Sequence, residues 1–397
     1  MADFVKESFF QPQTEPEGDN LAIVKAFRNA WKRPFNLLMR SVKAQHTHKS
    51  VVEATCRFKN VSSVRVHFTS MCDPTRAILR KTLPLIYSTL QHHAENLTLL
   101  AITVPLVEAS NLLRPSLVLP RLKTLNLFLY RRLEAPHADS VGNILATSIL
   151  PFINNHAQTL EAFRIMEHTR LDLTVLFKRL RHIPNLKKLY FPLTIKTEGH
   201  HVRTFLHRHS DTLRDITIQT YNAREPENSF DSVARHLFEI QTPVPDLQRL
   251  DIWFADHSGS LANPEIFGQV AFTSNSLVSL ELANQKLDFA ALSSLLLSDT
   301  HSFQRLRTLV IEVYELTPVA MDLFAERLVN LYDLKLKTRL FQPVVRNFID
   351  VSDIRRIHQV STSLILRYSS WHLFLFFSFA SRFEVVTIGH GRSKICL

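Results

Sequence analysis

Arg305–Leu336, RLRTLVIEVYELTPVAMDLFAERLVNLYDLKL, carries two hydrophobic periods in turn. Each end shows a polar residue followed by apolar-x-x-apolar-x-apolar, first at Leu306, Leu309 and Ile311 and again at Leu331, Leu334 and Leu336. The alternation at the last two apolar positions is that of a strand, whose successive side chains point to opposite faces. Between these motifs, Val319–Val329 places its apolar residues every three or four positions, the period of a helix. Pro318 stands where a helix accepts a first-turn proline, and Thr317 before it offers a capping hydroxyl. The unit is therefore strand, turn, helix, turn.

The same motif recurs toward the N-terminus. It begins at Val61 (with Val64 and Val66), Leu97 (Leu100, Ile102), Leu122 (Leu125, Leu127), Leu160 (Phe163, Ile165) and Leu186 (Leu189, Phe191). Further starts are Leu213 (Ile216, Ile218), Leu247 (Leu250, Ile252) and Leu277 (Leu280, Leu282). Chance supplies bare apolar matches, but not a polar residue ahead of every one: Asn60, Asn96, Arg121, Thr159, Asn185, Thr212, Asp246, Ser276, Arg305 and Asn330. Successive starts lie 25 to 38 residues apart, with a mean of 30. Helical periods at Val202–His209, Phe230–Ile240 and Phe289–Leu297 fill intervals between motifs. No single unit can hide both its strand face and its helix stripe. Stacked neighbours can, which predicts a curved parallel sheet on a concave side and helices on a convex side.

From Val61 to about Lys337 the chain resembles the leucine-rich-repeat superfamily, and the resemblance implies an α/β solenoid, a horseshoe of about ten irregular repeats. The asparagine or cysteine that the family places after the last strand residue is replaced by Tyr130, His168, Thr194, Tyr221 and Tyr314. Irregular repeat lengths and stretches such as Phe205–Leu213, FLHRHSDTL, resemble intracellular fungal proteins with leucine-rich repeats behind an F-box. That resemblance implies protein recognition, with the substrate-recognition arm of a ubiquitin ligase as its specific form. Leu21–Arg40 is apolar and helical enough for an F-box remnant, but Pro34 interrupts it and the Leu-Pro opening is missing. Residues 1–20 are read as disordered, 21–60 as a basic helical cap or F-box remnant, 61–350 as the repeat domain, and 351–397 as a C-terminal cap or non-repeat tail.

The composition fits a folded chain of 397 residues, 45% of them hydrophobic. Cys56, Cys72 and Cys396 are too scattered for a disulfide framework, so a reducing compartment, cytoplasmic or nuclear, is expected. The acids and prolines of Met1–Asn20 do not suit a secretory signal. Trp371–Ala380 is about half the length a membrane-crossing helix needs and reads as a terminal strand or helix. A monomer is expected.

Motifs for catalysis and cofactor binding are missing: there is no GxSxG elbow, no GxxxxGK[ST] loop and no GxGxxG. No catalytic residue, cofactor or enzyme activity is assigned. Nineteen histidines include the pairs His46/His48, His92/His93, His200/His201 and His207/His209. None has a carboxylate in the HExxH arrangement, and no metal ligand is assigned. Leu21–Asn60 holds nine Lys/Arg against one acid, Glu53, out of a net charge of +11. Within it Trp31, Phe35 and Phe58 are interleaved with Arg28, Lys32, Arg33 and Arg40, which suits a capping helix or, alternatively, nucleic acid or an anionic surface.

A protein partner would meet the residues that flank and alternate with the buried strand positions. These include Asn126, Phe128, Arg164, Met166, Lys188 and Tyr190, then Thr217, Gln219, Arg249, Asp251, Trp253, Glu281 and Glu312, then Asp333, Lys335 and Lys337. Their charge is mixed, unlike a uniform polyanion groove. Phe128, Tyr190 and Trp253 are interface-anchor types, with cross-strand packing as the alternative.

Overall fold

The computed structural model describes residues 7–10, 58, 60–68, 76–130, 142–167, 172–194, 196–221, 243–255, 276–297, 303–341, 364–369 and 372–378. The expected helix Phe230–Ile240 and the basic residues Arg28, Lys32, Arg33 and Arg40 lie outside them. The chain divides into two compact units, Met1–Tyr190 and Phe191–Leu397.

In the first unit, the motif-borne strands are β2 (Ser63–His67), β3 (Leu99–Pro105), β4 (Thr124–Tyr130), β5 (Ala162–Glu167) and the start of β6 (Lys188–Leu193). Sequence neighbours pair in parallel. Val64, Leu100, Leu125, Phe163 and Leu189 fall on one register line, and Val66, Ile102, Leu127 and Ile165 on the next. All are buried, so alternation along each strand has become an apolar ladder across strands. The helices between strands are α1 (Arg76–His92), α2 (Leu106–Leu112), α3 (Leu150–Asn155), which follows a π-helical turn at Leu145–Ile149, and α4 (Thr174–Arg179). α2 buries Leu106, Ala109 and Leu112 and packs on β3 and β4. Within the stretch expected to be disordered, Glu7–Phe10 forms β1, parallel to β2.

In the second unit, β7 (Asp215–Tyr221), β8 (Arg249–Ala255), β9 (Ser279–Leu287), β10 (Thr308–Leu316) and β11 (Asp333–Phe341) repeat the arrangement in parallel. Ile216, Leu250, Leu280, Leu309 and Leu334 form one buried line, and Ile218, Ile252, Leu282, Ile311 and Leu336 the other. Helix α5 covers Gly199–Arg208 and α6 Phe289–Leu297, and α7 (Pro318–Arg327) follows β10. Thr317 caps α7 as its sequence position predicts, its hydroxyl accepting from the Ala320 amide at 3.2 Å. Beyond the repeat the direction changes: β13 (His372–Ser378) runs antiparallel to β11, and β12 (Leu364–Ser369) antiparallel to β13. The apolar Trp371–Ala380 stretch thus contributes a strand. Among the described residues no helix is long and apolar enough to cross a membrane.

The polar lead-in residues have a structural cause. In the motifs that begin at Leu97, Leu122, Leu160, Leu186, Leu213, Leu247, Leu306 and Leu331 the first apolar residue closes a tight turn, Leu160 onto the His156 carbonyl and Leu331 onto that of Leu328, for example. The residue after it becomes a double acceptor. In the first unit the carbonyls of Ser62, Thr98, Lys123 and Glu161 each take two successive amides of the next repeat, at 2.8–3.1 Å. In the second, Arg214, Gln248, Val278 and Arg307 do the same. Lead-in side chains add ties: Asn185 Nδ2 donates to the Gln158 carbonyl at 2.9 Å, Asn330 Nδ2 to that of Gln304 at 2.6 Å, and Ser276 Oγ to that of Pro245 at 2.7 Å. Repeats are thereby joined at the start of the strand.

Four histidines stand four residues before a motif leucine: His93, His156 and His209 are buried, and His182 is exposed. The Leu119 amide donates to His156 Nε2 at 2.8 Å, so the proton sits on Nδ1, which donates to the Phe152 carbonyl at 2.7 Å. His209 Nδ1 makes the matching bond to the Phe205 carbonyl at 2.7 Å. These rings are part of the inter-repeat framework.

Candidate functional site

Because the apolar ladder takes every second strand residue, the alternate residues form a second face. In the first unit its central line is Arg65, Ala101, Asn126, Arg164 and Tyr190, with His67, Thr103, Phe128 and Met166 beside it. Asn126, Phe128, Arg164 and Met166 are half-buried and Lys188 is exposed. Tyr190 departs from the outward anchor expected: it is 7% exposed. Strand neighbours lie only about 4.8 Å apart, so long side chains cover one another. The Arg164 guanidinium lies 4.3 Å from the Tyr190 ring centroid, a cation–π stack. Burial raises the Tyr190 phenol above its ordinary value, with Arg164 acting against that rise. Arg164 Nε is buried and has no hydrogen-bond partner among the described residues.

In the second unit the corresponding lines are Asp215, Arg249, Ser279, Thr308 and Asp333, then Thr217, Asp251, Glu281, Val310 and Lys335. Asp251 is only 3% exposed. Arg249 covers it, with Nε at 2.9 Å and Nη2 at 2.8 Å from Oδ2, and Thr217 Oγ1 lies 3.4 Å away. The same guanidinium reaches Glu281 Oε2 at 3.9 Å. Burial, then the Asp251 charge, pushes the Glu281 carboxyl above the usual range, while Arg249 and Lys335 pull it down. Trp253, one residue pair further along β8, is half-buried.

Strand β9 carries a bulge. Ile311 faces Leu282, but Glu312 faces Lys286, and Asn284 takes a positive φ of 67° in the extra loop. The bulge brings Lys286 beside Glu312, whose carboxylate also receives Lys337 Nζ at 3.1 Å. Glu312, expected to face a partner, is 5% exposed. The first unit therefore offers Lys188 and the half-buried Arg164 and Phe128, and the second unit Arg249 and the half-buried Trp253, where Asp251 and Glu312 set their neighbours in place.

One group of side chains outside this face was missed. His200 and His201 follow Gly199 in the first turn of α5, and Glu198 immediately precedes that helix. Glu198 Oε2 lies 3.5 Å from His200 Nε2 and 3.4 Å from His201 Nε2. A search for HExxH passes over this set, because its carboxylate comes before both histidines. The legible signal was ExHH just ahead of the helical period Val202–His209.

No family model matches the chain, and no curated protein matches it. Among solved structures, one titled "Crystal structure of Rad7 and Elc1 complex in yeast" aligns at 13% identity over 88% of this chain and 87% of that chain, with a TM-score of 0.36. So slight a likeness specifies neither the fold nor the activity of this chain.

Proposed function

We propose that the chain is a protein-recognition module, a leucine-rich-repeat horseshoe of about ten irregular repeats that binds its partner on the concave face. The observation that carries this reading is Arg164, a fixed cation stacked on Tyr190 with a buried Nε that has no hydrogen-bond acceptor among the described residues. Such a donor is costly unless something supplies the acceptor. A partner carboxylate or carbonyl on the face would do so. In the second unit, Arg249 is held in position by Asp251 while 51% of its side chain remains exposed, a preorganised contact of the same kind.

The specific form we propose is the substrate-recognition component of a ubiquitin ligase, a reading supported by the sequence resemblance to F-box repeat proteins. No enzymatic activity is assigned, and the chain acts in the cytoplasm or nucleus as a monomer. The second reading is nucleic-acid or anionic-surface binding through residues 25–59, supported by nine Lys/Arg against one acid in Leu21–Asn60.

A pull-down at moderate salt with partner identification separates these readings. Recovery of a ubiquitin-ligase adaptor together with a substrate, lost in an Arg164→Ala/Arg249→Ala variant that circular dichroism shows to be still folded, supports the first. Recovery of nucleic acid alone, released by salt, replaces it with the second. Protein partners retained in full by the double variant refute the concave face as the site.

A further inference from the structure

We propose that Glu198, His200 and His201 form a surface site for a divalent transition-metal ion of the zinc class. The geometry of these three side chains stands independently of the protein-recognition reading. Zinc holds imidazole nitrogen and carboxylate oxygen at about 2.0–2.2 Å, so two ligands of a tetrahedral ion stand roughly 3.3 Å apart. The two Oε2–Nε2 separations, 3.5 and 3.4 Å, match that edge. All three potential ligand atoms lie within 4.8 Å of one another.

Local structure explains the convergence. Glu198 precedes the first residue of α5, and its carboxylate makes no capping bond to that helix. The helix start places His200 and His201 on consecutive positions, with their ring centroids 3.8 Å apart at 43°. Both Nε2 atoms thus approach the same carboxylate oxygen. The backbone is tied as well, the His201 amide donating to the Glu198 carbonyl at 3.1 Å. One carboxylate and two imidazoles are a borderline donor set that suits zinc, nickel or copper above magnesium or calcium. The three protein ligands leave a further position for water, and the exposure of Glu198 and His200 gives the ion a path in.

Isothermal titration of the tag-free full chain with Zn2+ alone, compared with His200→Ala/His201→Ala, tests the assignment. One equivalent of zinc is expected, with affinity falling about tenfold or more in the double variant. No binding by the wild type, or a loss under fivefold in the variant, overturns the proposal. His200 is 67% exposed, so its replacement leaves the core untouched. Should the double variant unfold, mass spectrometry after diethylpyrocarbonate labelling gives the same decision on the wild type. Zinc must protect His200 from modification, and unchanged labelling at saturating zinc overturns the site.

Discussion

Replacing His156 by alanine should destabilise the first unit and flatten part of its pH dependence. The ring accepts the Leu119 amide at 2.8 Å and donates to the Phe152 carbonyl at 2.7 Å while 3% exposed. Truncation leaves a buried amide without an acceptor, at about 1–3 kcal/mol, and opens a cavity besides. A total near 2–4 kcal/mol corresponds to roughly 5–15 °C in Tm for a unit of this size. His156→Phe, which keeps a ring against Phe152, isolates the hydrogen-bond part of that loss. Burial holds the His156 imidazole below its ordinary value of 6.5, with the Phe152 bond acting in the opposite sense. A protonated Nε2 would also direct N–H at N–H. Well above pH 6.5 the ring is neutral in both the folded and the unfolded chain, so it adds no slope. Below that, the unfolded chain takes the proton first, and stability falls with pH by up to about 1.4 kcal/mol per unit. Denaturant midpoints from pH 7.5 to 5 should show this fall in the wild type and a shallower one in His156→Ala. His67, also lowered by burial, accounts for a residual slope. An unchanged midpoint at pH 7.5, or an undiminished slope in the variant, would refute the assigned tautomer and its role between repeats.

Arg249→Ala strips the half-exposed covering cation from Asp251 and should destabilise the second unit by about 1–2 kcal/mol, whereas Arg249→Ala/Asp251→Ala should recover much of that loss in denaturant titrations. Asn284 holds the β9 bulge at φ 67°, so Asn284→Val should cost about 1–2 kcal/mol while Asn284→Gly stays near neutral; equal costs would remove the backbone explanation. Thr317→Ala removes the α7 cap and should lower stability by about 1 kcal/mol, with Thr317→Ser close to wild type.

The strands and several helices were legible because their signals are local. Every described motif became a strand, Phe289–Leu297 formed its helix with unchanged bounds, and the Thr317-Pro318 start of α7 held. These features depend on residues two to four apart, where side-chain direction follows from backbone period alone. The candidate face was legible only as a set of alternate positions. Which members stay open depends on neighbours 25 residues or more away in sequence, as with Arg164 over Tyr190 and Lys337 over Glu312, and on the next outward residue of the same strand, as with Arg249 over Asp251. The β9 bulge that seats Lys286 beside Glu312, and the turn that brings Glu198 to His200 and His201, likewise arise from chain path. Period writes the ladder of buried leucines into the chain, but lateral contact between strands sets the chemistry of the face, because pairing partners are chosen in space.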